Sequence, residues 1–247
     1  MNSPLRRLVG RLPPDAQELV RRLHHSPRAR RAVRPVRWGN LRRLQPVSPR
    51  WGSERGTAVD RHYIDAFFAR HSDLIRGRVV EVRDPRYATT CGNGVTTIDI
   101  VDIDPRNDDA TIIADLADPG SLPTAAFDCA IVPQTLVYVR EPFAAAANLW
   151  QSIAPGGALL VTTPAIARVD PDAVDDDRWH LTRAGLETVI RRACPDGQSS
   201  VEAHGNPIVA TAFLQGIAVE ELRADELDAR HPLFPIVVTA VVRKPNS

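Results

Sequence analysis

The stretch 78–104, RVVEVRDPRYATTCGNGVTTIDIVDID, decides the fold. Val79-Val80-Glu81-Val82, set between Gly77 and Asp84-Pro85, is a short apolar run of the kind that forms a covered strand in a parallel sheet. Residues 95–100, Val-Thr-Thr-Ile-Asp-Ile, are rich in β-branched side chains and predict the next strand. Ligands of open α/β sheets sit beyond the carboxyl ends of such strands, where an acid after the second strand holds ribose hydroxyls. Asp99 is therefore a candidate ribose ligand, and Glu81 lies beside the same crevice. A nucleotide-binding turn normally supplies glycines after the first strand. Here Arg83, Pro85 and Tyr87 fill those positions. Gly92 and Gly94 flank Asn93 further on, which fits an ordinary turn equally well.

Downstream, strand and crossover alternate. Residues 111–113 predict a third strand, leading to Ala114-Asp115-Leu116, and 127–133 a fourth, followed by Gln134-Thr135-Leu136. A helix over 142–153 carries Phe143, Ala147 and Trp150 on one face, and Pro155-Gly156-Gly157 turns the chain into a fifth strand over 158–163. Thr182 caps a helix that runs to Arg192, strands follow at 200–203 and 236–242, and 208–222 reads as one long apolar helix. Upstream, Asp60 caps a helix with an apolar stripe of Ile64, Phe67, Phe68 and Ile75, closed by Gly77. Together these specify a doubly wound, mostly parallel α/β sheet of seven strands with right-handed crossovers. The acid-rich loop 164–180 contains Asp175-Asp176-Asp177; consecutive acids do not converge on one ion, so a solvated loop is expected rather than a metal site.

The whole chain has 247 residues and a net charge of +1, but the charge is uneven. Residues 1–50 carry thirteen arginines against Asp15 and Glu18, about +11, leaving about −10 for the remainder. This sets a boundary near residue 50, between a basic arm (1–50) and an α/β domain (51–247). In the arm, Pro13-Pro14-Asp15 opens a helix continued by Leu19, Val20 and Leu23, and the rest is irregular. Trp38 and Trp51 are expected to pack onto the domain. The arm lacks a nucleic-acid recognition motif, so packing against its own acidic body or a second copy is expected, not nucleic acid. Three unpaired cysteines and no membrane-length apolar run point to a reducing cytoplasm without a membrane span.

From Trp51 onward the chain resembles the class I S-adenosylmethionine-dependent methyltransferases, and more narrowly the bacterial methyltransferase-like proteins found beside glycosyltransferases in sugar and natural-product clusters. The residues that carry this are Trp51-Gly52, Asp60-Arg61-x-Tyr63-Ile64, Gly77-Arg78-Val79-Val80-Glu81, Ala114-Asp115-Leu116, Phe127-Asp128, Gln134-Thr135-Leu136, Pro155-Gly156-Gly157, Trp179-x-x-Thr182 and Gly205-Asn206. The resemblance implies S-adenosylmethionine as cofactor, with Glu81 near its methionine end, Asp99 on the ribose, Asp115 facing the adenine amino group and Gln134 near the reacting methyl. Arg83 replaces the glycine of the same loop and joins the cofactor contacts. A small, sugar-containing acceptor follows from the narrower resemblance, and a homodimer is compatible with it. A hydroxyl acceptor benefits from a general base, for which His180, His62 and Tyr63 are the candidates. Two alternatives share the fold. One is an enzyme of a sugar or nucleotide pathway that transfers no methyl, with Arg83 and Arg86 as anion ligands. The other is a non-catalytic partner of a biosynthetic enzyme.

Overall fold

Val79 and Val80 are neighbours in one strand, both almost wholly buried, and they belong to different hydrophobic clusters. Side chains alternate across a strand, so a strand buried on both sides must have helices on both faces of its sheet. A computed structural model describes residues 13–18, 37 and 39–246 of the chain. It divides into two units, Met1–Gln45 and Pro46–Ser247. In the first, residues 14–18 are helical and Gly39–Leu41 forms a 3-10 turn. Leu19, Val20, Leu23 and Trp38 lie outside the described residues.

The second unit holds seven strands: β1 (Gly77–Val82), β2 (Val95–Asp102), β3 (Ile112–Ile113), β4 (Phe127–Pro133), β5 (Ile153–Pro164), β6 (Gln198–His204) and β7 (Val237–Arg243). Their order is β3-β2-β1-β4-β5-β7-β6. The first five are parallel, and β7 runs antiparallel to both its neighbours. The chain goes outward from β1 to β2 and β3, then returns to β4 on the other side. The topological switch therefore lies between β1 and β4.

Six helices accompany the strands: α1 (Val59–Arg70), α2 (Arg86–Cys91), α3 (Pro142–Ser152), α4 (Arg183–Ala193), α5 (Pro207–Gln215) and α6 (Ala224–Asp228). One face of the sheet packs on α3 and α4 through Ala145, Leu149, Leu186 and Ile190. The other packs on α1, α2 and α5 through Ile64, Phe68, Tyr87 and Phe213. Phe127-Asp128 has a structural use: the Asp128 carboxyl accepts the Arg78 N–H at 2.8 Å, joining the start of β1 to that of β4. Trp51 packs against the second cluster, under the Arg168 guanidinium 3.9 Å from its ring. Among the described residues no helix is long and apolar enough to cross a membrane.

Several elements depart from expectation for local reasons. Residues 208–222 are not one helix: α5 stops at Gln215 because Gly216 turns left-handed (φ 68°), a conformation that only glycine adopts freely. A Cβ at Gly216 would also meet the Ser48 carbonyl oxygen at 2.6 Å. On α3 the buried face is Ala145, Ala146, Leu149 and Trp150; Phe143 and Ala147 are only partly covered. Asp60 is no cap. Ala58 precedes α1, and Gly77 opens β1 instead of closing the helix.

Candidate active site

The crevice at the switch point is bordered by the chain leaving β1 and β4. Arg83, directly after β1, has φ 78°. Its N–H donates to the Val101 carbonyl at 2.9 Å, and its carbonyl accepts from Asn107 Nδ2 at 2.7 Å. The backbone thus keeps the left-handed course a glycine takes, and the arginine side chain is exposed. Glu81 is fully buried, and its two oxygens accept the Tyr87 and Ala88 N–H groups at 2.9 and 2.7 Å. Burial pushes its carboxyl up to about 7 against those two bonds. Its chemistry is spent on holding the first turn of α2, so it does not open onto the crevice as expected.

The acid expected on the ribose must also be corrected. β2 continues to Asp102, so Asp99 lies within the strand, paired in register with Val80, and not at its carboxyl end. Arg78 engages it at 2.8 Å. Asp102 occupies the strand end instead, next to Arg83. It accepts from the Asp104 N–H at 3.0 Å and from Asn107 Nδ2 at 2.7 Å, one bond to each oxygen. A carboxylate oxygen has two lone pairs, which leaves acceptor capacity on both. Asp104 pairs with the exposed Arg106, which holds its carboxyl down to about 2. Beyond β3, Asp115 Oδ1 accepts the Ala117 N–H at 2.8 Å, leaving Oδ2 as the second acceptor. The sequence signal for Asp102 was present, since Asp102 and Asp104 alternate with apolar residues, while Asp99, three positions earlier, falls on the opposite side of the strand. Only pairing with β1 tells which one ends the strand.

Gln134 follows β4 with φ 50°, and its N–H donates to Thr162 on β5. Its Oε1 is buried and has no hydrogen-bond partner. Asp60, in the first turn of α1, is 8% exposed, and burial shifts its carboxyl upward against the pull of Arg61 and the Gln134 side chain. Arg61 lies 3.7 Å from Asp60. Tyr87 donates to Asp65 at 2.9 Å, and Arg86 reaches the same carboxylate at 3.2 Å. Asp65 thereby ties α1 to α2.

His180 meets a buried acid: its Nε2 lies 2.9 Å from Asp177 Oδ1, and the Asp177 side chain is only 5% exposed. Asp177 Oδ2 accepts the Asp170 N–H, and Asp170 accepts from the Tyr138 hydroxyl, each at 2.8 Å. Burial and then Asp170 raise the Tyr138 phenol, while the Arg83 guanidinium opposes them. His62 and Tyr63 are elsewhere. They line a cavity of about 130 Å³ with Ala66, Arg70, His204 and Arg230, which no residue following β1, β2 or β4 enters. The Tyr63 hydroxyl donates to the Leu227 carbonyl at 2.8 Å, and burial pushes it up to about 12. Both favour the neutral phenol at neutral pH. His204 is a core histidine, on Thr239 Oγ1 at 3.1 Å and pushed down to about 4 by burial.

No protein-family model matches the sequence, and comparison with curated proteins gives no match. Solved structures do match. An S-adenosylmethionine-dependent methyltransferase from Mesorhizobium loti is 18% identical over 75% of this chain and 100% of its own, with a TM-score of 0.51. One from Archaeoglobus fulgidus is 13% identical over 78% and 97%, also at 0.51. The [4+2]-cyclase SpnF is 17% identical over 94% and 95%, at 0.51. The fold is thus the one these methyltransferases and this cyclase share. The donor set fits the cofactor's pieces: carboxylates with spare acceptor capacity stand at the ends of β2 and β3, and a buried, unpartnered carbonyl oxygen lies after β4.

Proposed function

We propose that the chain binds S-adenosylmethionine across the carboxyl ends of β1 to β4 and transfers its methyl group to a small, sugar-containing acceptor. The observation that carries this reading is the juxtaposition at the switch point: Arg83 in a glycine-like backbone beside Asp102, with Gln134 leaving β4, the strand paired with β1 on its other side. Asp102 would take the ribose hydroxyls, Asp115 the adenine amino group through Oδ2, and Gln134 the amino-acid end. The bound cofactor supplies an electrophilic methyl; the protein's work is to orient the nucleophile in line with it and exclude water. His180 would receive the acceptor's proton. With Nε2 donated to Asp177, Nδ1 is the basic atom, and the acid fixes that tautomer. A cytosolic location belongs to the same reading.

Calorimetric titration with S-adenosylmethionine and S-adenosylhomocysteine tests it. Micromolar binding is expected, weakened at least about tenfold in Asp102→Ala, the loss of one or two charge-assisted hydrogen bonds. Folded wild-type protein that binds neither ligand at millimolar concentration refutes it.

Arg83 favours a second reading, an enzyme of the same fold that transfers no methyl. An exposed guanidinium where a glycine would let backbone approach a sulfonium is better suited to an anionic substrate. The cyclase SpnF, by its name, carries other chemistry on this fold. Binding of inorganic pyrophosphate that Arg83→Ala abolishes, without binding of S-adenosylmethionine, would select this alternative.

A further inference from the structure

The strongest charge imbalance in the chain lies outside the crevice. Residues 1–50 carry thirteen arginines against Asp15 and Glu18, while the remainder is net acidic. The arginines also have a pattern. Adjacent pairs stand between apolar residues at Leu5-Arg6-Arg7-Leu8, Val20-Arg21-Arg22-Leu23 and Leu41-Arg42-Arg43-Leu44. The function proposed above uses none of them.

The last of these pairs lies among the described residues. Gly39–Leu41 forms a 3-10 turn, and the N–H groups of Arg42 and Arg43 donate to the Gly39 and Leu41 carbonyls at 3.4 and 2.9 Å. Arg42 and Arg43 are exposed, Leu41 is half-buried and Leu44 is fully exposed. An exposed leucine beside two exposed guanidiniums makes two unlike demands of a partner. The guanidiniums match phosphate oxygens, which they hold in paired hydrogen bonds. The leucine gains only by leaving water. A nucleic-acid backbone meets the first demand and offers leucine nothing, since it presents phosphate and sugar. The surface of an anionic bilayer meets both, with phosphates for the arginines and the acyl boundary for the apolar side chains.

We infer that the basic arm, residues 1–50, is a peripheral membrane anchor. Its arginine pairs bind anionic phospholipid, and the flanking leucines and valines seat at the acyl boundary. The remainder of the chain, at about −10, is repelled by the same surface and adds no attraction of its own. This holds whatever the crevice binds.

The test is co-sedimentation of the full chain with vesicles of phosphatidylcholine, alone or with about one-third phosphatidylglycerol. Wild type should partition onto the anionic vesicles at least about tenfold more strongly than onto neutral ones, and less so as salt is raised. Arg42→Gln with Arg43→Gln should weaken that partitioning at least about tenfold, since each arginine near such a surface contributes about fivefold. Leu41→Ser with Leu44→Ser keeps every charge and should weaken it about fivefold or more. An unchanged circular dichroism spectrum establishes that each variant is folded. Wild type that stays in solution with both kinds of vesicle overturns the inference. A leucine variant that partitions as wild type does also overturns it, because the arm would then take any polyanion, duplex DNA included. Self-association that the arginine variant abolishes, without vesicle binding, overturns it in favour of the acidic surface of a second copy.

Discussion

Asp99 and Arg78 are joined across β2 and β1 by two contacts, Nε to Oδ2 at 2.8 Å and Nη2 to Oδ1 at 3.2 Å. The same guanidinium lies 5.1 Å from the centre of the Phe127 ring on β4. Arg78 thus ties the amino ends of β1 and β4 to the middle of β2, and Asp99 serves that tie. Asp99→Ala is accordingly expected to leave S-adenosylhomocysteine affinity within about threefold of wild type, since the contact is remote from the strand ends where ligands bind. Asp102→Ala, at the strand end, should lose at least about tenfold. Calorimetry on the two variants side by side checks this, and the reverse order would return the ribose to Asp99.

This pair also shows what sequence reading could and could not reach. The strands were legible because Val79-Val80 and the β-branched run of β2 carry their burial in their composition. The end of β2 was not, because acids stand at 99, 102 and 104, and the strand's length is set by the pairing of Val82 with Val101 and of Asp102 with Ile113. Helix α2 was illegible for a related reason. Its six residues have no apolar repeat, and its first turn depends on a carboxylate of β1 accepting two of its amides. His62 and Tyr63 adjoin Asp60 and Arg61 in sequence, yet turn to a different cavity. On a helix each residue advances about 100°, so neighbours in sequence do not share a face.

Glu81 gives a pH-dependent prediction. Burial raises its carboxyl from 4.5 to about 7. The folded state therefore holds a proton there that the unfolded state has released, and stability falls as pH rises from about 4.5 to about 7. Below that window the contribution is fully present; above it, it is lost. His71 and His204, both shifted downward by burial, act in the opposite sense, and Asp60, shifted upward, in the same sense, so the raw pH profile of wild type mixes several groups. The difference between wild type and Glu81→Gln isolates the Glu81 contribution. That difference, from denaturant unfolding, should move against wild type by on the order of 2–3 kcal/mol between pH 4.5 and 7. A pH-independent difference would show that Glu81 titrates alike in both states.

Arg83→Gly should act on stability and on binding together. An arginine at φ 78° is strained where glycine is not, so the variant should unfold at a temperature a few degrees higher, for a gain of about 1 kcal/mol. Removing the guanidinium also removes a positive charge beside the site proposed for a sulfonium. S-adenosylmethionine, which is cationic at sulfur, should gain more affinity than the neutral thioether S-adenosylhomocysteine, and the gap should narrow as salt is added. Equal gains for both ligands would mean that Arg83 acts through the backbone alone.

The three consecutive aspartates are chemically alike in sequence and unlike in the fold. Asp175 is exposed, and Asp176 is largely exposed and paired with Arg178 at 2.7 Å. Asp177 is buried, with one oxygen on His180 and the other accepting the Asp170 N–H. The loop is also anchored from outside: the N–H groups of Arg178 and Trp179 both donate to the Val137 carbonyl, and the Trp179 indole donates to Val139. Losing the Asp177 carboxylate removes two contacts at the loop's centre and leaves these outer anchors in place. Asp177→Ala should therefore open the loop locally without unfolding the sheet. Amide exchange at Asp170 should accelerate at least about tenfold, the worth of one buried hydrogen bond to a charged group. Asp175→Ala should leave it unchanged. Hydrogen exchange resolved by NMR separates the two, and acceleration in both variants would mean that the loop is held by its net charge and not by Asp177.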